Sequence, residues 1–225
     1  MPPTVTTRPL WYMRTLVFAL ALAPAGCGLA EYEKKMGEAE ARVKRFDDES
    51  RLLGDPLTLP PPADKNAPPP DVFLRPPKGV AKDPQAGEGP YAHYAATSGV
   101  CADLFLLFGN PSDNRDKLEK QIQDWLAAPG QNVGWQPSEV HPPGRPVLAF
   151  DKAEWADPRA PANAPAVFLA YVRQSPGLPA VGLAFRVTQA NRTAADSALR
   201  MSLETYREAG DAAQARAAYG KGKPR

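Results

Sequence analysis

The sequence predicts an α+β domain: an antiparallel sheet of about five strands with two packed helices, preceded by a charged helix and a proline-rich linker. Three observations predict it. Between residues 91 and 210, apolar segments of strand and helix length follow in the order β-β-α-β-β-β-α, which suits a sheet covered by helices. Residues 31–53 carry acids and bases four apart, the spacing of neighbours on a helix surface. Eleven of the 36 residues 55–90 are proline, a local excess that marks a spacer within an otherwise globular composition.

The first strand is expected over residues 91–97, where Tyr91, His93 and Ala95 alternate with Ala92, Tyr94 and Ala96. Residues 101–108 form an apolar run broken only by Asp103, as expected for a buried central strand. Asn110-Pro111-Ser112-Asp113 supplies turn and cap chemistry, and a helix to about Ala128 follows with Leu118, Ile122, Trp125 and Leu126 on one face. A loop-rich region with Trp135 and Trp155 encloses a short strand at 146–150. Residues 166–173 and 181–187 read as a hairpin pair joined through Ser175-Pro176-Gly177. Thr193 and Asp196 are spaced as a capping box opening the last helix, whose stripe is Leu199, Leu203 and Tyr206. This element order is loosely similar to the sheet-and-helix sandwiches of the photosystem extrinsic-subunit and nuclear-import-factor superfamily.

Ahead of the domain, residues 1–14 contain two arginines and no acid, Leu16 to Ala23 form an apolar core, and Pro24-Ala25-Gly26 precede Cys27. Positive, apolar and small residues in that order predict a secretory signal. The apolar run is too short for the ~20 residues of a membrane span. The segment resembles the lipobox of bacterial lipoproteins, with Pro24 where that family prefers leucine. The resemblance implies cleavage between Gly26 and Cys27, acylation of Cys27 with palmitate-like chains, and a protein of the cell envelope, lipid-anchored to a membrane and facing the periplasm or exterior. Two or three chains anchor stably where one is marginal. The chain also resembles uncharacterised planctomycete lipoproteins over residues 27–80, in the succession of its charged helix, Leu52-Leu53-Gly54-Asp55-Pro56, proline tract and Val72-Phe73-Leu74-Arg75-Pro76-Pro77-Lys78-Gly79.

The expected layout is therefore a signal over 1–26, a lipid-anchored charged helix over 27–54, a linker over 55–90, the α+β domain over 91–210 and a basic flexible tail over 211–225. In the helix, Tyr32, Met36, Ala39, Val43, Phe46, Ser50 and Leu53 are spaced alternately by four and three, which fits either a short self-associating stalk through residues 31–53 or an amphipathic helix that packs on its own domain or lies solvated. Gly54 offers a C-terminal cap. In the linker, Val72-Phe73-Leu74 fits an edge strand or clip on the domain better than an exposed motif.

Removal of the signal with Arg8 and Arg14 leaves 25 basic against 25 acidic side chains, so charge gives no case for a nucleic-acid partner. His93 and His141 are the only histidines and are not at ligand spacing, so no metal site and no cofactor are expected. Cys101, alone after Cys27, reads as a small buried hydrophobe more readily than as a nucleophile beside His93. The favoured reading is a non-enzymatic binding or structural module for an envelope protein or wall polymer. The alternative is a small-ligand carrier or weak hydrolase using a groove of Trp135, Trp155 and His141.

Overall fold

The computed structural model describes residues 11–57, 59, 71–83, 91–96, 98–109 and 114–222. It contains two compact units, residues 1–48 and 49–225. The first consists of helix α1, Trp11–Leu52, up to Asp48; its last turn belongs to the second unit. The helix passes through Pro24, whose ring removes one helix donor. The surroundings of the Cys27 side chain lie outside the described residues, as do residues 60–70, 110–113 and 223–225. No described helix is long and apolar enough to cross a membrane.

The second unit is α+β, built on one antiparallel sheet of seven strands. In chain order the elements are β1 (Val72–Phe73), β2 (Val80–Lys82), β3 (Tyr91–Ala96), β4 (Asp103–Phe108), α2 (Arg115–Leu126), β5 (Gln136–Val140), β6 (Leu148–Ala156), β7 (Ala166–Arg173), β8 (Val181–Thr188), α3 (Arg192–Thr205), β9 (Arg207–Glu208) and α4 (Ala209–Gly222). The large sheet runs β2-β3-β4-β8-β7-β6-β5, while β1 pairs with β9 alone. Two strands exceed the expected five, and both are edges. Strand β2 is three residues long, and β5 holds Pro137 and exposed polar residues, so neither shows an apolar pattern.

Period-two alternation divides the core between the two sheet faces. Leu104, Leu106, Leu183, Phe185, Leu169 and Val187 fill one face, against Ala195, Leu199 and Leu203 of α3. The other face carries Leu107, Phe168, Ala170, Val172 and Ala184 against Leu118, Ile122 and Leu126 of α2. Glycine at position 182 lets α2 approach closely, since a Cβ there would meet Ile122 Cδ1 at 2.7 Å. Helix α2 is capped by Asn114, whose side chain accepts from the Lys117 N–H. Helix α3 has no such cap: Asn191 occupies the position, and Asp196 pairs with Arg192 rather than closing a box with Thr193. Gly54 does not cap α1 either; its N–H donates to the Pro76 carbonyl at 2.8 Å.

The body extends beyond the expected 91–210 on both sides. Residues 72–77, placed within the linker by composition, are all buried, and Val72-Phe73 docks as a short strand on β9, in line with the expected clip. Their anchor is Arg75, 8% exposed. Its Nη1 meets Glu49 Oε2 at 3.1 Å, its Nε donates to the Gly54 carbonyl at 3.1 Å, and its guanidinium lies 5.0 Å from the Tyr219 ring centre. Its backbone N–H donates to Thr205 Oγ1, and its carbonyl accepts from Ser202 Oγ at 2.6 Å. The expected flexible tail is corrected in the same way: residues up to Gly222 form α4, with Ala212 buried, Arg216 donating to the Val72 carbonyl and Tyr219 to Asp55. Alanine-rich sequence favours the helix, and polar contacts dock it.

Replacing Arg75 with Met removes the donors that Arg75 supplies to Glu49 and the Gly54 carbonyl. The expected loss is about 2–3 kcal/mol, somewhat less than for a fully buried pair because Glu49 is partly exposed. Urea unfolding of Arg75→Met against the parent checks it, and an unchanged midpoint refutes it.

Candidate functional site

The face beneath α2 becomes polar past the C-terminal end of that helix, and the strands bring one chain of charges together there. His93 Nδ1 lies 3.0 Å from Asp83 Oδ2, and its Nε2 lies 2.8 Å from Asp103 Oδ1. Arg186 Nη1 donates to Asp103 Oδ2 at 3.3 Å and its Nε to Asp157 Oδ2 at 2.6 Å. The Arg159 N–H closes the chain on Asp157 Oδ1 at 2.9 Å. Register explains the grouping. His93 is paired with Phe105, Asp103 with Arg186, and Asp157 follows β6, so all project from the same face at one end of the sheet.

This cluster is tightly framed. The His93 ring stacks on Phe105 at 4.6 Å and 8°, and Phe105 meets Trp125 edge-on at 5.0 Å. Burial works against the Arg186 charge, but the bonds and charges of Asp157 and Asp103 outweigh it and raise its pKa above the ordinary arginine value. Both His93 ring nitrogens are thus engaged by carboxylate oxygens.

Cys101 does not join it. The thiol packs in the opposite, α3-side core at 1% exposure, donating to the Asp103 carbonyl at 3.1 Å. Burial, with the Asp103 charge adding, pushes its pKa up to about 12, outweighing the opposing effect of a backbone hydrogen bond from Asp103. A thiol so placed is inert at neutral pH.

Of the groove residues expected from sequence, the structure brings two together and leaves the third apart. Trp135 and Trp155 approach to 6.5 Å between ring centres, and Trp155, 5% exposed, also packs on Phe168 at 5.6 Å. They close over the core edge, and neither indole N–H meets a protein acceptor. His141 stands at the far end of β5, roughly 20 Å of strand from Trp135. Its exposed ring lies 3.4 Å from Glu139 Oε2. The preceding residue, Val140, belongs to the α3-side core.

Neither of two surface clefts among the described residues contains these three residues. One of about 460 Å³ lies along the loop after α2, lined by Gln123, Ala128 and Gln131 among others. The other, of about 530 Å³, is lined by Asn114, Arg115, Ser138, Asp151, Arg173 and Gln174 among others. Its charges are taken up internally. Arg115 pairs with Asp151 and, at 3.3 Å, with Glu119; Arg173 donates to the Ala149 carbonyl and pairs with Glu208 at 3.3 Å. Burial, followed by the Asp151 charge, pushes the Glu119 carboxyl above its ordinary value. Among the described residues, no cluster of three or more His, Cys, Asp or Glu forms a group that could hold a metal.

The charged chain escaped the sequence reading, although its signal is present. Asp103 is the one polar residue in the run 101–108, and Arg186 is the one charge in β8. Two opposite charges interrupting separate apolar strands are what a cross-strand ion pair requires.

No family model matches this chain, and no curated protein matches it. Among solved structures, the Saccharomyces cerevisiae Ran-binding protein Mog1p is similar at 10% identity, over 61% of this chain and 90% of that one, with a TM-score of 0.43. A point mutant of protein Mog1 is similar over the same shares at 10% identity, with a TM-score of 0.42.

Burial of phenols gives a pH dependence of known sign. It raises Tyr94 and Tyr171 from 10.0 to about 12, and Tyr206 well above 10.0. The unfolded chain therefore releases these protons before the folded one does. Their contribution is complete below pH 10 and is lost as pH rises toward 12 and beyond. Urea midpoints are expected to fall over that interval, and Cys101 to react with maleimide only in the unfolded chain. A native thiol that labels freely at neutral pH contradicts the second expectation.

Proposed function

We propose that this chain is an envelope lipoprotein, held to a membrane by acyl chains on Cys27, whose folded body binds a partner protein or wall polymer without catalysing a reaction. The observation that carries the reading is the succession of Arg8 and Arg14, the apolar Leu16 to Ala23, and Pro24-Ala25-Gly26 directly before Cys27. Lipidation there would leave the charged helix between the anchor and the body. The binding half of the proposal rests on side-chain geometry. Trp135 and Trp155 pack on each other and the core edge, His93 is held between two carboxylates, and the Cys101 thiol faces the other side of the sheet. Those three arrangements favour a recognition surface over a nucleophile-and-base site.

Within the body, we take the five longer strands β3, β4, β6, β7 and β8 with α2 and α3 as the recognition module. Strands β2 and β5 are its edges.

The test is metabolic labelling with a palmitate analogue, combined with membrane fractionation. Wild-type protein is expected to be labelled and to sediment with membranes. Cys27→Ala is expected to lose the label and appear in the soluble fraction. A Cys27→Ala protein that remains in membranes at the wild-type level overturns the anchor.

A further inference from the structure

The first unit leaves one stripe of large apolar side chains uncovered. Leu29, Tyr32, Met36, Val43 and Phe46 are all exposed, Val43 and Phe46 at 62% and 60%. Among the described residues, only Val147 joins them as an exposed large hydrophobic. With Ala39 they are spaced three and four apart, the a and d positions of a heptad. The stripe ends at Phe46. Leu53, which continues the spacing, is 3% exposed within the second unit, where it bridges Pro77.

What flanks the stripe says what can cover it. Glu33, Glu40 and Asp47 occupy the e positions on one side, and Lys35 and Arg42 the g positions on the other. In a parallel, in-register pair of identical helices, each g residue faces the e residue five positions on in the second chain. Lys35 then meets Glu40 of the second copy and Arg42 meets Asp47, so both junctions are of opposite sign. An antiparallel pair instead sets e against e and g against g, acid on acid and base on base. An anionic lipid surface fits less well, because lipid-lying helices carry Lys and Arg across the polar face, whereas here one whole flank is acidic. The existing ion pair from Lys35 to Glu31, 2.8 Å and well exposed, competes only weakly with a new junction.

We propose that residues 29–46 of α1 form a parallel, in-register coiled coil with the same segment of a second copy of this chain. The seam is about 27 Å long. It is short for a free peptide pair, so the test traps it covalently. The pairing does not depend on acylation of Cys27.

The experiment uses the full chain carrying Cys27→Ser, so that Cys101, buried, is the only native thiol. A single cysteine is introduced at an a position, as Val43→Cys or Met36→Cys, or on the opposite side of the helix, as Ala41→Cys. Mild oxidation is expected to yield disulfide-linked pairs several-fold more from either a-position variant than from Ala41→Cys. Charge reversal then tests direction in the Val43→Cys background. Glu40→Lys with Asp47→Lys, and separately Lys35→Glu with Arg42→Glu, should each lower the yield several-fold, and mixing the two proteins should restore it as a mixed pair. Equal yields at positions 43 and 41, or no cross-linking at positions 36 and 43, overturn the proposal. So does protection of Val43→Cys from thiol reagents by anionic phospholipid vesicles without cross-linking, which would assign the stripe to lipid. Reversals that leave the yield unchanged overturn the parallel register. Because the anchoring residue is already replaced, none of these outcomes bears on acylation.

Discussion

A buried guanidinium holds the ends of the second unit to its middle. Arg75 reaches Glu49 and the Gly54 carbonyl at the end of α1, and stacks on Tyr219 of α4, while its own backbone is fixed by Ser202 and Thr205 of α3. Burying such a charge costs several kcal/mol unless its donors are met. Here the carboxylate, the carbonyl and the aromatic face meet them together. The constraint propagates outward: with residues 72–77 pinned, β1 can pair with β9, the Ala209 N–H can reach the Asp71 carbonyl, and Arg216 can close on Val72. Segments at the two ends of the unit, far apart in sequence, become one layer against the sheet.

The two sheet faces divide the remaining work unequally. The α3 side is a broad apolar core with three buried tyrosines, and Tyr206 OH donates to Glu208 at 2.6 Å. The α2 side is thinner, because Gly182, Ala170, Ala184 and Ala153 leave room for a helix to lie close. Beyond the reach of α2, that face ends in aromatics and the Asp83–His93–Asp103–Arg186–Asp157 chain. A polar network there satisfies strand residues that no helix covers, and fixes the pairing of β3, β4 and β8 more specifically than apolar contacts alone.

What the sequence revealed and concealed follows from periodicity. Strands β4, β7 and β8 are continuous or alternating apolar runs, and α2 and α3 present apolar residues three and four apart, so each was legible. Strand β6 was read only to Phe150, because Asp151 and Glu154 look like loop residues until Arg115 and Arg192 are brought opposite them. The docking of Val72-Phe73-Leu74 is legible as an apolar patch among prolines, whereas the burial of Arg75-Pro76-Pro77 depends on contacts more than a hundred residues away. Helix α4 buries Ala212 but docks through Arg216 and Tyr219, leaving no apolar stripe to read. The separation of His141 from the tryptophans reflects the strand between them, which a list of aromatic and titratable residues does not contain.

Strand β5 carries a consequence for behaviour at high local concentration. An open sheet edge is a template on which another chain can add a strand. At this edge Pro137 withholds one backbone donor, and Gln136 and Glu139 are exposed beside it. At the other edge, β2 offers only three residues, Lys82 among them. The sheet is thereby blunted at both ends against indiscriminate fibrous stacking.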